Sequence, residues 1–314
     1  MLDKIAPRVA LGNTLTKLAK KDSNILVLDA DLASSIKIEG FKKALPKQFL
    51  EMGIAEQNMI GVAAGLSTLG FIPFVSSFAV FASRRVCDQV VTSVAYPKLN
   101  VKIIGAYVGL FVGMNGATHQ SLEDVAIMRS IPNMAVIEPV DGLETEEVVK
   151  FAVNYNGPIY LRIGRDVMPS IVPSDYKFQL GKSVTIKDGS VITIISCGAL
   201  FDEVLSAALL LEKEGISARI INMSSIKPID EDAIIKAAKE TCKIVTVENH
   251  NIIGGLGSAV AEVLSEKYPV KLKRIGIRDI FGKSGTNKEM KKKFKLDASG
   301  ILEQIRDFLK NNFN

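Results

Sequence analysis

The stretch Gln57-Asn58-Met59-Ile60-Gly61-Val62-Ala63-Ala64-Gly65-Leu66-Ser67-Thr68-Leu69, continued by Gly70-Phe71-Ile72-Pro73 and by Phe74-Val75-Ser76-Ser77-Phe78-Ala79-Val80-Phe81-Ala82-Ser83, contains no charged side chain. An apolar run of that length is long enough to span a bilayer. Its internal punctuation argues otherwise. Asn58, Gly61 and Gly65 interrupt the apolar surface. Gly70 to Pro73 reads as a break, because proline cannot continue a helix and glycine frees the backbone to turn. The stretch therefore reads as a buried helix, a strand and the start of a second helix, which is a unit of an α/β fold.

The same alternation continues on both sides. Residues 8–21 read as an amphipathic helix, with Val9, Leu11, Leu15, Leu18 and Ala19 at helical spacing. Residues 24–29 form a short buried strand that runs into the acidic turn Asp29-Ala30-Asp31. A helix over 83–94, a strand over 101–106, a helix over 122–129, a strand over 135–139, a helix over 143–155 and a strand over 159–163 follow. Strands alternating with helices imply a mostly parallel sheet covered on both faces, and such sheets bind ligands beyond the carboxyl ends of their strands. Asp31, Ser35, Glu56, the loop over 109–119 and Arg165 fall there. Pro169, Pro173 and Ser174-Asp175-Tyr176-Lys177 read as a linker, after which strands over 190–196, 217–222 and 243–248 alternate with helices over 201–214, 230–240 and 254–267. The expectation is two α/β domains, 1–174 and 175–314, each a mostly parallel sheet flanked by helices.

Composition fits. With 314 residues, 47% of them hydrophobic and 23% charged, the chain has apolar material for two cores. The net charge of +5 is spread along the chain. Lys288, Lys291, Lys292, Lys293 and Lys295 alone form a basic run, which reads as a solvated helix face, so no nucleic acid is expected as a partner. The three cysteines, Cys87, Cys197 and Cys242, stand far apart and suit a reducing compartment such as the cytoplasm. Two histidines and no Cys/His cluster leave no zinc site within this chain. No signal peptide is evident.

Three features could carry chemistry. Glu56 opens an otherwise uncharged helix; it is either an acid complementing the helix dipole or a buried carboxyl that shares a proton with a ring nitrogen. Phe78 and Phe81, three apart, share a helical face and are either core or a wall on which a flat heteroaromatic ring stacks. The glycine-rich segment Gly109-Leu110-Phe111-Val112-Gly113-Met114-Asn115-Gly116-Ala117-Thr118-His119-Gln120 suggests a backbone that approaches a ligand closely, with His119 directly after it. By itself such a loop is weak evidence for phosphate binding.

In this order and at these separations, Gly53-Ile54-Ala55-Glu56-Gln57-Asn58-Met59, Ser77-Phe78-Ala79-Val80-Phe81, Asp88-Gln89, Asn100-Val101-Lys102, Gly116-Ala117-Thr118-His119-Gln120 and Met128-Arg129-Ser130-Ile131-Pro132-Asn133-Met134 resemble the transketolase family. Val247-Glu248-Asn249-His250 with Gly254-Gly255-Leu256-Gly257 resembles the C-terminal domain of that family. The resemblance implies a pyrimidine-binding domain followed by a transketolase C-terminal domain. It also implies a thiamine-diphosphate enzyme that moves a two-carbon ketol unit from a ketose to an aldose. The Gly-Asp-Gly…Asn signature that holds the diphosphate through magnesium does not occur here. The chain thus looks like the C-terminal subunit of a split transketolase. It would act only with an N-terminal, diphosphate-binding partner that holds Mg2+ or Ca2+, in an α2β2 heterotetramer.

By the resemblance, Glu56 hydrogen-bonds the pyrimidine N1′, Phe78 and Phe81 pack against that ring, and Asp31 lies near the cofactor. His119 contacts the donor sugar, Ser35 and Arg165 bind its phosphate, and no residue of this chain holds the metal. Two positions depart from the family. Tyr107 stands where most relatives have a histidine that helps bind the sugar phosphate, and Asn115 where most have an aspartate that contacts a sugar hydroxyl. Tyrosine brings no positive charge, and asparagine trades a negative charge for an amide. Both changes point to a sugar other than the usual pentose and heptulose phosphates. The rival readings are 1-deoxyxylulose-5-phosphate synthase, the β subunit of a 2-oxoacid dehydrogenase, and a non-catalytic scaffold. The first two differ in the loop before His119, and the retained Glu56, Phe78, Phe81 and His119 argue against the third.

Overall fold

Ile25–Asp29 (β1) is buried along its whole length, as strands with helices on both faces must be. The computed structural model describes residues 4–310, which form two compact units. One comprises the chain up to Val108 together with Ile127–Gln179, the other Gly109–Ala126 together with the chain from Leu180 onward.

In the first unit, β1 is joined by Phe49–Glu51 (β2), Ile72–Phe78 (β3), Lys102–Ala106 (β4), Ala135–Ile137 (β5) and Ile159–Ile163 (β6). Their order is β5-β6-β4-β3-β1-β2, and every pair of neighbours is parallel. The registers Asp29↔Ser76, Phe78↔Ala106 and Ala106↔Ile163 align the carboxyl ends of four strands. The chain leaves β1 toward β2 on one side and returns as β3 on the other, so a crevice opens beyond those ends. The uncharged stretch forms the helix Glu56–Thr68, β3 and the short helix Ala79–Ser83, as expected from its punctuation. The helix expected over 83–94 is broken into Cys87–Gln89 and a π-helical turn, Val90–Ala95. Lys102 is fully buried within β4, its Nζ donating to Asn100 Oδ1 and to the carbonyls of Tyr155 and Gly157.

The second unit contains Val184–Lys187 (β7), Ile192–Ser196 (β8), Ala218–Asn222 (β9), the short Ser225–Lys227 (β10), Lys243–Asn251 (β11) and Lys271–Ile277 (β12). Its five-stranded sheet runs β12-β11-β8-β9-β7, parallel except for the edge strand β7. Asp230 caps the helix Glu231–Thr241 by accepting from Ala233 N at 3.2 Å. The basic run falls largely on the helix Asn287–Lys293, opened by a capping box of Thr286 and Glu289, and a further helix, Ala298–Lys310, escapes the sequence reading. The basic run is not wholly a solvated face. Lys291 is mostly buried and pairs with Glu203 at 2.9 Å and Asp202 at 3.4 Å. Among the described residues, no helix is long and apolar enough to cross a membrane.

Candidate functional site

Glu56 is the first residue of its helix, where the dipole favours a carboxylate, and it is 2% exposed. Its Oε2 accepts from Arg85 Nη1 at 2.8 Å, and its Oε1 has a weak contact, 3.4 Å, from Ser77 Oγ. The sequence reading did not foresee this ion pair. Arg85 stays 42% exposed, and its guanidinium lies 4.2 Å from the centroid of the Phe81 ring.

The two phenylalanines do not share one helical face as expected, because Phe78 ends β3 and Phe81 lies in the short helix after it, but their rings still lie together. Phe78 and Phe81 have ring centroids 6.2 Å apart at an interplanar angle of 23°. Phe78 also meets Tyr107 at 4.3 Å, so an aromatic row extends from the end of β3 to the end of β4. Tyr107 adopts φ +58°, a backbone region costly for a bulky residue and typical of places where the surroundings over-determine it. Those surroundings are cationic. Arg8 and Arg165 sit over the Tyr107 ring at 5.4 and 5.0 Å, and Arg8 Nη1 donates to the phenol oxygen at 2.9 Å. Arg8 also donates to the carbonyls of Ser35, at 2.6 Å, and Arg165, at 3.1 Å. Ser35, Tyr107 and Arg165, far apart in sequence, are thus gathered by one arginine that the sequence reading missed. Its signal was available: Arg8 follows Pro7 in the first turn of the helix Pro7–Ala19, where a cation opposes the dipole.

At the end of β1, Asp29 accepts from Ser76 Oγ and from Leu32 N at 2.7 Å. Burial raises its carboxyl above the ordinary aspartate value, against the pull of those bonds. Asp31 is exposed at φ +59°, its N–H bonded to Glu51 Oε1 at 3.0 Å.

His119 and Asn115 lie on the segment that packs in the second unit. His119 Nδ1 is 3.0 Å from Thr118 Oγ1, and Asn115 is exposed. The glycines of this segment serve protein contacts. A Cβ on Gly109 would meet Asn249 at 2.3 Å, and one on Gly116 would meet Ser284 Oγ at 2.5 Å. Among the described residues, no group of three or more His, Cys, Asp or Glu side chains could hold a metal ion.

Residues 3–170 match the model of the transketolase pyrimidine-binding domain, and residues 181–301 that of the transketolase C-terminal domain. The chain belongs to the transketolase family. It is 48% identical over 96% of its length to a "putative transketolase C-terminal section" of Methanocaldococcus jannaschii, of which 96% is covered. It is 45% identical over 93% of its length to the "6-deoxy-6-sulfo-D-fructose transketolase subunit SqwH" of a Clostridium species, of which 91% is covered. A solved structure described as a "split gene transketolase, inactive beta4 tetramer" superposes with a TM-score of 0.88 at 44% identity, covering 97% of this chain and 98% of that one. The chain therefore corresponds to the C-terminal subunit of a transketolase, which the sequence motifs imply, and not to the two rival thiamine enzymes.

Membership of the transketolase family implies dependence on thiamine diphosphate. The donor set fits the pyrimidine of that cofactor. A flat heteroaromatic ring needs a stacking wall and one strong hydrogen-bond partner, and Phe78, Phe81 and Glu56, whose partner Arg85 is exposed enough to give way, offer both.

Proposed function

We propose that this transketolase subunit uses Glu56, Phe78 and Phe81 to hold the pyrimidine of thiamine diphosphate. In this reading the anionic end of a ketose donor is bound at Arg8, Ser35, Tyr107 and Arg165, and His119 and Asn115 contact the sugar. An N-terminal subunit supplies the diphosphate and Mg2+ (or Ca2+) site, in an α2β2 assembly. Bound thiamine diphosphate supplies the electron sink for breaking and forming the carbon–carbon bond beside a ketose carbonyl. Glu56 exchanges its contact with Arg85 for pyrimidine N1′ and holds a proton there, which sets the tautomer of the ring. Phe78 and Phe81 fix the ring plane and keep water away. Asp31 stands near the cofactor.

The observation that carries the reading is a buried carboxylate at a helix start beside a stacked aromatic pair. In the assembled heterotetramer, Glu56→Gln should lower turnover of a ketose by roughly 100-fold or more, as expected when a positioned proton-transfer group is lost. Near-normal turnover would overturn the reading.

The Arg8–Tyr107–Arg165 group favours a donor whose end is a tetrahedral anion, phosphate or sulfonate, because two guanidinium groups lie over one tyrosine ring. The 45% identity to a sulfofructose transketolase subunit supports a sulfonate among the candidates. A panel of ketose donors tests this: aldehyde release should be slower from xylulose 5-phosphate than from a sulfonated or otherwise modified ketose. A strong preference for xylulose 5-phosphate would refute it.

A further inference from the structure

The segment that bears His119 is fastened along its length by side chains from the C-terminal part of the chain, all within the second unit. Asn249 Oδ1, on β11, accepts from Leu110 N at 2.9 Å. Asn287 Oδ1, at the start of a capped helix, accepts from Gly113 N at 3.0 Å. Gln120, next to His119, donates through Nε2 to Lys283 O at 2.9 Å and to Leu110 O at 3.2 Å. Beyond it, Asn251 N donates to Leu122 O at 2.8 Å, and Lys291 Nζ lies 5.4 Å from the centroid of the Phe111 ring. Gly109 and Gly116 let Asn249 and Ser284 approach closer than any Cβ would permit. Asn249 is itself 3% exposed, so its hold on Leu110 is shielded from competing water.

We infer that Asn249 and Asn287 are positioning residues of the transketolase reaction, and that the C-terminal domain serves to set the place of His119. The inference rests on the proposed contact of His119 with the donor. A segment whose regular structure is limited to a single 3-10 turn, Gly113–Asn115, and one bridge, Gly109 to Ser121, holds a side chain to catalytic tolerance only if its backbone amides are pinned, and a displacement of about 1 Å is enough to lose roughly 100-fold in rate. The two amides pinned by asparagine carbonyls, at 110 and 113, lie just upstream of Asn115 and His119, and Gln120 secures the other side.

The test compares Asn249→Ala, Asn287→Ala, Asn249→Asp and His119→Ala in the assembled enzyme. Asn249→Asp keeps the acceptor for Leu110 N and should keep activity, which separates the hydrogen bond from general damage. The two alanine variants should lower kcat/KM for the donor roughly 10- to 100-fold, leave the Kd for thiamine diphosphate unchanged, and add little to His119→Ala. Their amide hydrogen exchange over 109–120 should be faster by at least about 10-fold, equivalent to about 1.4 kcal/mol of lost protection. Unchanged donor kinetics in both alanine variants, with His119→Ala impaired, would overturn the inference. If His119→Ala itself leaves the donor unaffected, the donor contact fails, and the clamp stands or falls on the exchange rates alone. Misfolding of Asn249→Ala leaves Asn287→Ala, on a half-exposed helix start, to decide.

Discussion

Glu56 and Arg85 form an unequal pair: the acid is 2% exposed in its side chain and the base 42%. Removing the base strands a buried carboxylate, which is costly when no donor replaces it, but the exposed edge of Arg85 means water can partly do so. Arg85→Ala should therefore destabilise the chain by about 1–2 kcal/mol in urea titrations. It should also tighten thiamine diphosphate binding, because Glu56 no longer has to release a competitor. Weaker cofactor binding would mean that Arg85 helps hold the cofactor. Gly105 is a second residue whose role is local. A Cβ there would lie 2.3 Å from the hydroxyl of fully buried Tyr160, so Gly105→Ala should cost about 1–3 kcal/mol by overpacking, readable as a lower urea midpoint.

Strand β4 carries a cation through the core. Burial pushes Lys102 down from 10.5 to about 7, and its bonds to Asn100, Tyr155 and Gly157 tie the strand to the turn before β6. Between about pH 7 and 10.5 the unfolded chain keeps the Lys102 proton while the folded chain has lost it. Unfolding then takes up a proton, and stability rises with pH across that window. Below pH 7 this contribution is flat. Lys102→Met should abolish the rise, measured as urea midpoints from pH 7 to 10. It should also lower stability by about 1–3 kcal/mol for each of the acceptors it leaves bare. The turn before helix Gly142–Asn154 shows the same economy. Asp141 caps that helix through Glu144 N at 2.8 Å and also accepts from Ile171 N and Val172 N, so one carboxylate ties the segment before the second unit to the first sheet.

At the scale of the molecule, large apolar side chains remain on the surface: Ile54 at 76%, Leu69 at 74%, Tyr96 at 85% and Phe281 at 81% exposed. Such residues suit a subunit whose partners cover them. Purified alone, the chain should self-associate and lack turnover, as does the related split-gene tetramer described as inactive; adding the N-terminal subunit should convert it to a heterotetramer with cofactor-dependent activity. Light scattering and an aldehyde-release assay, before and after mixing, check both halves. An active, monomeric isolated chain would contradict the two-subunit reading.

The alternation of apolar strands with helices and the break at Gly70-Phe71-Ile72-Pro73 already determine two α/β domains, because buried parallel strands need uninterrupted apolar runs and helices need their own period. Short motifs around Glu56, Phe78 and His119 likewise determine the family, since chemistry restricts residue types locally. Pairings between distant residues were not legible. That Arg8 would meet Tyr107 and Ser35, that Arg85 would take an oxygen of Glu56, and that Gly109 and Gly116 would admit Asn249 and Ser284 depend on which strand lies beside which. Register and strand order bring those side chains within hydrogen-bond reach, and no spacing along the chain records it. Local sequence carries propensity and chemistry; only the closed tertiary structure decides who neutralises whose charge.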